Sequence, residues 1–392
     1  MKGENMFLDD NIIRNFREVL NSSSLFKENK EYVDQFNLYC AVCDRIDDSI
    51  KYLNENCDIP TQDHDFLVFM MYSCIIIDAV YNLFDSVKMR DEYNSYDKKQ
   101  IFAPYCKEYP LELSEEQCPS DNDFFKYFRS LSFAHPFETS RAKFLKDKER
   151  QYSPWVIVHN PIYDIMCSEE SVGVRIYSNK CDEIKDLRIP FRAVKDYVAS
   201  RYALISVITE KLNAIISQCN EKWKMHKVNR EGEIESVLSC IIDILKERFI
   251  TNFIYEDFDE LLGYISTKCT CSKNQWLIEE YKNDIEDILQ NLCESIDNLD
   301  YDKADELLTP FISPHVRKMH ASASYELEKI YCYLNDDVYS EDHDWGLRNA
   351  DAFYNSFAHK WVEIDLLSMS DDEIKLLINL SLYKEAKNEG NR

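Results

Sequence analysis

The chain has 392 residues, of which 45% are hydrophobic and 13% aromatic, and its formal net charge is −26. This length indicates two domains, and the apolar content is sufficient for a large core. Because the chain contains only 6 Gly and 10 Pro, a turn-rich all-β protein is not expected. The acidic surface repels nucleic acids and anionic membranes at long range, so RNA binding would require a local basic patch.

Helical periodicity dominates the beginning of the chain. Apolar residues recur at spacings of three and four in three segments: 9–20, 30–55 and 65–88. This spacing predicts a helix in each segment. The third segment contains the most apolar stretch, residues 66–84, which is nearly long enough to span a membrane. Asp78 and Asn82 interrupt the stretch, so we interpret it as a buried core helix and expect no membrane partner.

After residue 90 the helical spacing of apolar residues gives way to other patterns. Residues 91–121 are polar and are predicted as a loop, and the stretch FFKYFRSLSFAHPFETSR, residues 124–141, begins as an aromatic helix. Three β-rich segments come next: 155–158, 172–177 and 187–191. Turn residues separate them, which predicts a small antiparallel sheet inserted at about residues 152–191, before a long helix over 191–218.

A polar stretch of mixed charge, residues 218–233, marks the predicted domain boundary, which we place between residues 220 and 221. Beyond it, apolar spacing predicts helices to the end of the chain: 233–248, 255–267, 274–297, 301–308, 315–336, 346–366 and 371–387. The sequence therefore predicts a mostly α protein. Its first domain, residues 1–220, is a helical bundle with the small β insertion, and its second, residues 221–392, is helical.

The 14 cysteines form no recognisable disulfide or zinc framework. The first residues, MKGENMFLDDN, lack the apolar core of a signal peptide, so we interpret the cysteines as reduced thiols and expect a cytoplasmic protein. Zinc would need two cysteine pairs that meet in space, and the pairs Cys40/Cys43 and Cys269/Cys271 are interpreted instead as small buried residues. The sequence also lacks a glycine-rich nucleotide loop and a GxSxG motif. We therefore expect neither a metal nor a cofactor.

An arginine and a histidine lie six residues apart near the end of the aromatic helix. Cleavage of RNA without metal needs a base for the 2′-hydroxyl proton and a cation for the phosphate charge, and His135 and Arg129 suit these two roles. On a regular helix six residues rotate the side-chain direction by about 240°. Because Pro136 disfavours helical geometry at His135, we expect the helix to end by Ala134 and His135 to be able to turn toward Arg129.

This arrangement resembles the HEPN superfamily, whose members are small helical domains with an R-x(4–6)-H motif, here Arg129-x5-His135. They occur in ribonuclease toxins, abortive-infection proteins and CRISPR effectors. The resemblance covers about half of the chain and implies a domain that often dimerises, with paired arginines and histidines in a cleft that cuts RNA without metal. The residue after the arginine is usually Asn, Asp or His in the family, whereas this chain has Ser130.

A basic segment follows the motif directly and is the predicted contact for RNA phosphates. Its cations are Arg141, Lys143, Lys146, Lys148 and Arg150. Two anions, Asp147 and Glu149, reduce the net charge of residues 141–150 to +3. The alternative interpretation is a solvated helix face of mixed charge.

A polar stripe crosses the most apolar helix, because Asp78, Asn82 and Asp85 are spaced at i, i+4 and i+7. A buried carboxylate needs a partner, and we expect Arg129 to pair with Asp78 across two antiparallel helices. The pair would either orient the arginine for catalysis or close the core. Magnesium is less favoured, since no second acidic cluster accompanies the stripe.

Two functions remain open from the sequence. The first is a metal-independent endoribonuclease of HEPN type, in phage defence or as a toxin, with RNA as substrate and a homodimer or protein partner. The second is a non-catalytic, all-α interaction or scaffold protein, or an inactive HEPN-like accessory subunit. Under the first, Arg129 and His135 open on a shared solvent-filled cleft; under the second, they are buried against carboxylates or point apart.

Overall fold

The computed structural model describes residues 7–106, 118–137, 150–158, 170–179, 184–334 and 340–390. The chain divides into two compact units, Met1–Ile216 and Ser217–Arg392, and each unit has its own hydrophobic core. This division and the predicted boundary at residues 220 and 221 both fall within one helix, Ile205–Met225. The polar stretch that we interpreted as a boundary is therefore helical at its start.

The first unit is mostly helical, as the sequence predicted. Its helices are α1 (Asp10–Asn21), α2 (Leu25–Glu28), α3 (Val33–Glu55), α4 (Asp63–Ser86), α5 (Arg90–Ser95), α6 (Ala103–Cys106), α7 (Asp121–Arg129), α8 (Phe191–Tyr202) and the start of α9 (Ile205–Met225). The short helices α5 and α6 lie inside the segment that was predicted as a loop. That prediction is corrected, because single turns of helix carry too few residues for a periodic signal.

Helix α4 supplies much of the core of the first unit and packs against α3 and against α8. Its buried residues include Phe66 and Phe69 near the start and Phe84 near the end. The Phe69 ring lies 4.8 Å from that of Phe191 in α8, measured between centroids. By length and composition α4 could cross a membrane, but half of its apolar window is buried inside the protein. Core helices of soluble proteins share these properties.

A small antiparallel sheet interrupts the helices, which confirms the predicted β insertion. It consists of β1 (Gln151–Tyr152), β2 (Val156–Ile157), β3 (Ser171–Ser178) and β4 (Lys185–Pro190). Strand β3 pairs with each of the others, with Val174 opposite both Val156 of β2 and Leu187 of β4. Strand β1 was not predicted, because a strand of two residues has no alternation that a sequence pattern could detect.

The second unit contains the end of α9 and a set of further helices. These are α10 (Ile234–Glu247), α11 (Phe253–Ser266), α12 (Gln275–Asn298), α13 (Tyr301–Ile312), α14 (Ala323–Tyr333), α15 (Glu341–Ser356) and α16 (Asp371–Gly390). Helix α16 is the central one, with every residue from Glu373 to Tyr383 buried. Ser370 caps it by accepting from the Glu373 backbone N–H at 3.2 Å. The Glu373 side chain is bound instead by Thr270, whose N–H lies 2.6 Å away.

Two predicted helices in this unit have the wrong bounds. The helix expected over 315–336 begins only at Ala323, and the helix expected over 346–366 runs from Glu341 to Ser356. The second begins early because Ser340 accepts a hydrogen bond from the His343 backbone N–H at 3.0 Å, which is a helix cap. Apolar spacing does not register such caps.

A buried arginine joins helix ends in the second unit. Arg248 is 1% exposed and donates to the carbonyl oxygen of Ile296 at 2.6 Å, and to those of Trp223 at 2.9 Å and His226 at 3.1 Å. Trp223 and Ile296 belong to the last turns of α9 and α12, and His226 directly follows α9. Helix ends leave carbonyl acceptors unsatisfied and favour cations. The Arg248 side chain therefore has a structural role.

Candidate active site at the end of α7

Helix α7 begins where the sequence supplies a cap and ends at Arg129. The Ser120 hydroxyl accepts from the Asp123 backbone N–H at 3.2 Å, and Phe124 and Phe128 lie on the buried face. The Phe128 ring packs edge-on against Phe66 of α4, with 6.1 Å between centroids. Aromatic packing thus fixes the last turn of α7, which carries Arg129, against α4.

The helix does not stop at Arg129 but widens into a π-helical turn over Ser130–Ala134. The turn closes with a hydrogen bond of 2.8 Å from the His135 N–H to the Ser130 carbonyl. His135 itself is non-helical, with φ −145° and ψ 56°, and exposed. The expected end of the helix at Ala134 is confirmed. The π turn was not predicted, and such turns are frequent at functional sites.

The first residues of the sheet region hold this helix end in place. The Ser153 N–H donates to the carbonyl of Pro136 at 2.7 Å. Nearby, the Tyr127 hydroxyl donates to the side-chain oxygen of Gln151, which is 2% exposed. Pro136, which follows His135, is therefore hydrogen-bonded to the segment that joins β1 and β2, and α7 is hydrogen-bonded to β1.

Arg129 is half-buried and lies against α4 through a cysteine. Its guanidinium neighbours the thiol of Cys74, and burial raises the pKa of that thiol to about 12 despite the opposing effect of the cation. Cys74 is thus a neutral thiol at physiological pH and does not itself neutralise the charge of the arginine. The Nε of Arg129 is buried without a hydrogen-bond partner among the described residues.

The expected partner of Arg129 is not where the sequence suggested. Asp78, Asn82 and Asp85 are exposed on α4, and no ion pair joins Asp78 to Arg129 in the described part of the chain. Asp85 instead pairs with Arg90 at 2.6 Å. The expectation of a buried carboxylate is corrected, because the two apolar sides of α4 face the core and leave this stripe in solvent. Cys74 lies one turn before Asp78 on the same stripe and takes the place next to Arg129.

Of the predicted basic segment, residues 141–150, the structure describes only Arg150. Arg141, Lys143, Lys146 and Lys148 lie outside the described residues. Arg150 is exposed, and its backbone N–H donates to the Asn179 side chain at 2.7 Å, just beyond β3.

An aromatic surface on the small sheet was not predicted from the sequence. Trp155 is 48% exposed and Tyr177 is 38% exposed. Between them, the Arg175 guanidinium lies 5.2 Å from the centre of the Trp155 ring and is held by both oxygens of Asp186, at 2.7 and 2.8 Å. A sequence signal for this surface exists, because Arg175 and Tyr177 occupy alternate positions of β3 and therefore share one face of the strand.

One cluster in the second unit resembles a hydrolytic triad without its geometry. The Ser356 hydroxyl lies 3.3 Å from Nε2 of His320, and a Glu326 oxygen lies 2.7 Å from the same nitrogen. A Ser–His–acid relay needs the acid on the other ring nitrogen. That nitrogen, Nδ1, is buried and has no partner among the described residues. Glu326 also accepts from Ser322 at 2.8 Å, so the cluster closes the start of α14.

No metal site is apparent in the part of the chain that the structure describes. It holds no group of three or more His, Cys, Asp or Glu side chains that could share an ion. His343 contacts Asp371 at 3.0 Å and links α15 to α16. Of the cysteine pairs interpreted as buried, only Cys43 is buried, whereas Cys40 is exposed and the pair Cys269/Cys271 is half-buried.

Comparison with known proteins finds no matching family model, no matching curated protein and no matching solved structure. The resemblance to the HEPN superfamily therefore rests on the motif Arg129-x5-His135 and its helical setting.

Proposed function

We propose that this protein is a metal-independent endoribonuclease of HEPN type, acting in phage defence or as a toxin. The observation that supports it most directly is the break after α7. Helical geometry ends just before the exposed His135, while the half-buried Arg129 retains a cation that no carboxylate neutralises in the described residues. A base and a guanidinium cation, here separated by one π-helical turn, are the two groups that this chemistry needs.

In the proposed reaction His135 takes the proton of a ribose 2′-hydroxyl. The 2′-oxygen attacks the adjacent phosphorus, the bond from phosphorus to the 5′-oxygen breaks, and the leaving oxygen takes a proton from water. Arg129 stabilises the negative charge on the phosphate oxygens in the transition state. The products are a 2′,3′-cyclic phosphate and a 5′-hydroxyl end, and no metal or cofactor takes part.

Substrate contacts would come from the surface beside the motif. The cations Arg141, Lys143, Lys146, Lys148 and Arg150 would hold phosphates, as the sequence suggests. Trp155 and Tyr177 expose rings on which unpaired bases stack, which favours a single-stranded RNA region as substrate. The family resemblance also suggests a homodimer, in which two motifs would share one cleft.

A non-catalytic accessory role is the second proposal, and one observation favours it. The guanidinium of Arg129 lies against the neutral thiol of Cys74 in the packing between α4 and α7. An arginine that only fills this interface would occupy the same place.

The deciding experiment is cleavage of total RNA, including tRNA, by the purified full-length protein in EDTA. We expect His135→Ala and Arg129→Ala each to lower the rate by about 100-fold or more, the usual contribution of such groups. His359→Ala is the matched control, because His359 ends a second SFAH sequence at residues 356–359 and is exposed. It should cut at the wild-type rate and leave 2′,3′-cyclic phosphate ends.

Two outcomes would count against the catalytic proposal. If the wild type and both variants are equally silent on RNA, the accessory role is favoured. If EDTA abolishes cleavage, the reaction depends on a metal and the proposed chemistry is wrong.

A further inference from the structure

The second unit contains an open cavity of about 620 Å³, far along the chain from the motif. Its walls come from α11, from the end of α13 at Ile312 and Ser313, from Tyr331 of α14 and from the first turn of α16. More than a hundred residues separate α11 from α16 in the sequence. Cavities of this size and setting between helices are usual ligand sites.

The charges on the cavity wall are predominantly negative. Glu256, Asp259 and Glu260 project from α11 and Asp372 from α16, against the single ammonium of Lys375, which gives a lining charge of −3. Lys375 is 8% exposed, and burial lowers its pKa, opposed by the neighbouring carboxylates. A ligand that enters this cavity would meet a strong preference for positive charge.

The carboxylates are spread out rather than converging on one point. Among the described residues no three potential ligands stand close enough to hold a metal ion, although four carboxylates line this one cavity. A single compact cation would therefore leave most of them unneutralised. Their arrangement suits an extended cation with several charges.

Three tyrosine rings also line the cavity. Tyr255, Tyr264 and Tyr331 line the cavity, and the Tyr264 hydroxyl is bound to Glu260. Burial raises the pKa of Tyr264 and of Tyr331, so both remain neutral phenols. The Tyr255 ring already has the Lys246 ammonium 5.4 Å from its centre. Neutral aromatic faces beside carboxylates favour alkylammonium groups, which gain cation–π contacts while their methylene chains pack on the rings.

A glycine leaves part of the wall open. Gly263 lies in α11 and lines the cavity, and a Cβ built on it meets no atom within 4 Å. Glycine inside a helix weakens the helix by about 1 kcal/mol relative to Ala. No neighbour packs at this position, so the cost brings no packing gain to the protein itself.

We infer that this cavity binds a linear aliphatic polyamine, with its separated ammonium groups on the carboxylates and its methylene segments on the tyrosine rings. The site lies outside the proposed ribonuclease centre and does not depend on it. A chain with a net charge of −26 attracts any polycation weakly, so the test must separate the cavity from the general field.

The probe is spermidine, titrated into the full-length protein by calorimetry at physiological salt. Gly263→Leu places a large apolar side chain on the cavity wall without changing any charge, and its better helix propensity favours folding. We expect it to weaken binding by about tenfold or more, which corresponds to about 1.4 kcal/mol. Glu256→Gln combined with Asp259→Asn should weaken binding by a similar factor.

The matched control is Glu286→Gln combined with Asp287→Asn, which removes two exposed charges from α12 outside the cavity. It should leave the dissociation constant within about twofold of the wild type. The inference is overturned if Gly263→Leu binds spermidine as the wild type does, if the control weakens binding as much as the cavity variant, or if no saturable binding occurs.

Discussion

At the scale of single residues, the second unit contains two neighbouring carboxylates, those of Asp257 and Asp305. Asp257 of α11 is bonded to Asp305 of α13, and partial burial together with the Asp305 charge raises the pKa of Asp257 from 3.8 to about 6. Two such groups cannot both ionise cheaply at short distance, so Asp257 loses its proton only near the acid end of the physiological range.

The raised pKa makes the second unit lose stability as pH rises. The folded state holds the Asp257 proton more tightly than the unfolded chain. The resulting contribution to the free energy of unfolding is therefore fully present below about pH 3.8 and is lost as the pH passes 6. We expect Asp257→Asn to raise the melting temperature of this unit relative to wild type at about pH 7.5, and to lose that advantage below about pH 5. Thermal melts across this range measure the difference.

The control for this prediction is Glu306→Gln, an exposed carboxylate on α13. It should follow the wild-type curve at every pH. If the difference in melting temperature between Asp257→Asn and wild type stays constant with pH, the raised pKa of Asp257 is contradicted.

At the scale of elements, the sheet depends on one close approach of backbones. A Cβ at Gly173 of β3 would lie 2.3 Å from the carbonyl oxygen of Leu187 in β4. Gly173 is also paired with Ile157 of β2. Backbone atoms on a paired strand cannot move aside as a flexible side chain can, so no larger residue fits there.

We therefore expect Gly173→Ala to lower the free energy of unfolding of the first unit by about 1–3 kcal/mol. Gly263→Ala is the matched control, since the same added methyl meets open space in a helix and should raise stability by up to about 1 kcal/mol. Denaturant unfolding of both variants gives the two values. Equal effects of the two substitutions would rule out the clash at Gly173.

At the scale of the whole molecule, two separate cores predict two separate stabilities. Leu53 belongs to the core of the first unit and Leu308 to that of the second, and both are fully buried. Each core buries its own apolar surface, so loss of packing in one acts first on that unit.

Calorimetry should accordingly resolve two unfolding transitions. We expect Leu53→Ala and Leu308→Ala to lower different ones, each by about 2–5 kcal/mol, while Leu367→Ala, at a side chain that is 99% exposed, moves neither. A single transition that both core variants shift alike would mean that the units unfold as one.

Local patterns were sufficient for most elements of the fold. Apolar spacing predicted α3 and α4, and the alternation in VGVRIY predicted β3. Pro136 predicted the end of the helix at Ala134. These features depend on neighbours within a few residues, and such neighbours are fixed by the covalent chain. Caps such as Ser340 and single turns such as α6 escaped because they lack periodicity.

The sequence by itself determined that the protein is mostly helical with a small sheet, and that Arg129 and His135 flank a helix end. Only the tertiary structure decided what surrounds them. It placed Cys74 rather than Asp78 against Arg129, exposed Trp155 next to Arg175 on the sheet, and formed a cavity from residues as distant as Glu256 and Asp372. A helical stripe specifies which residues share a face, but which element covers that face depends on the packing of all helices at once.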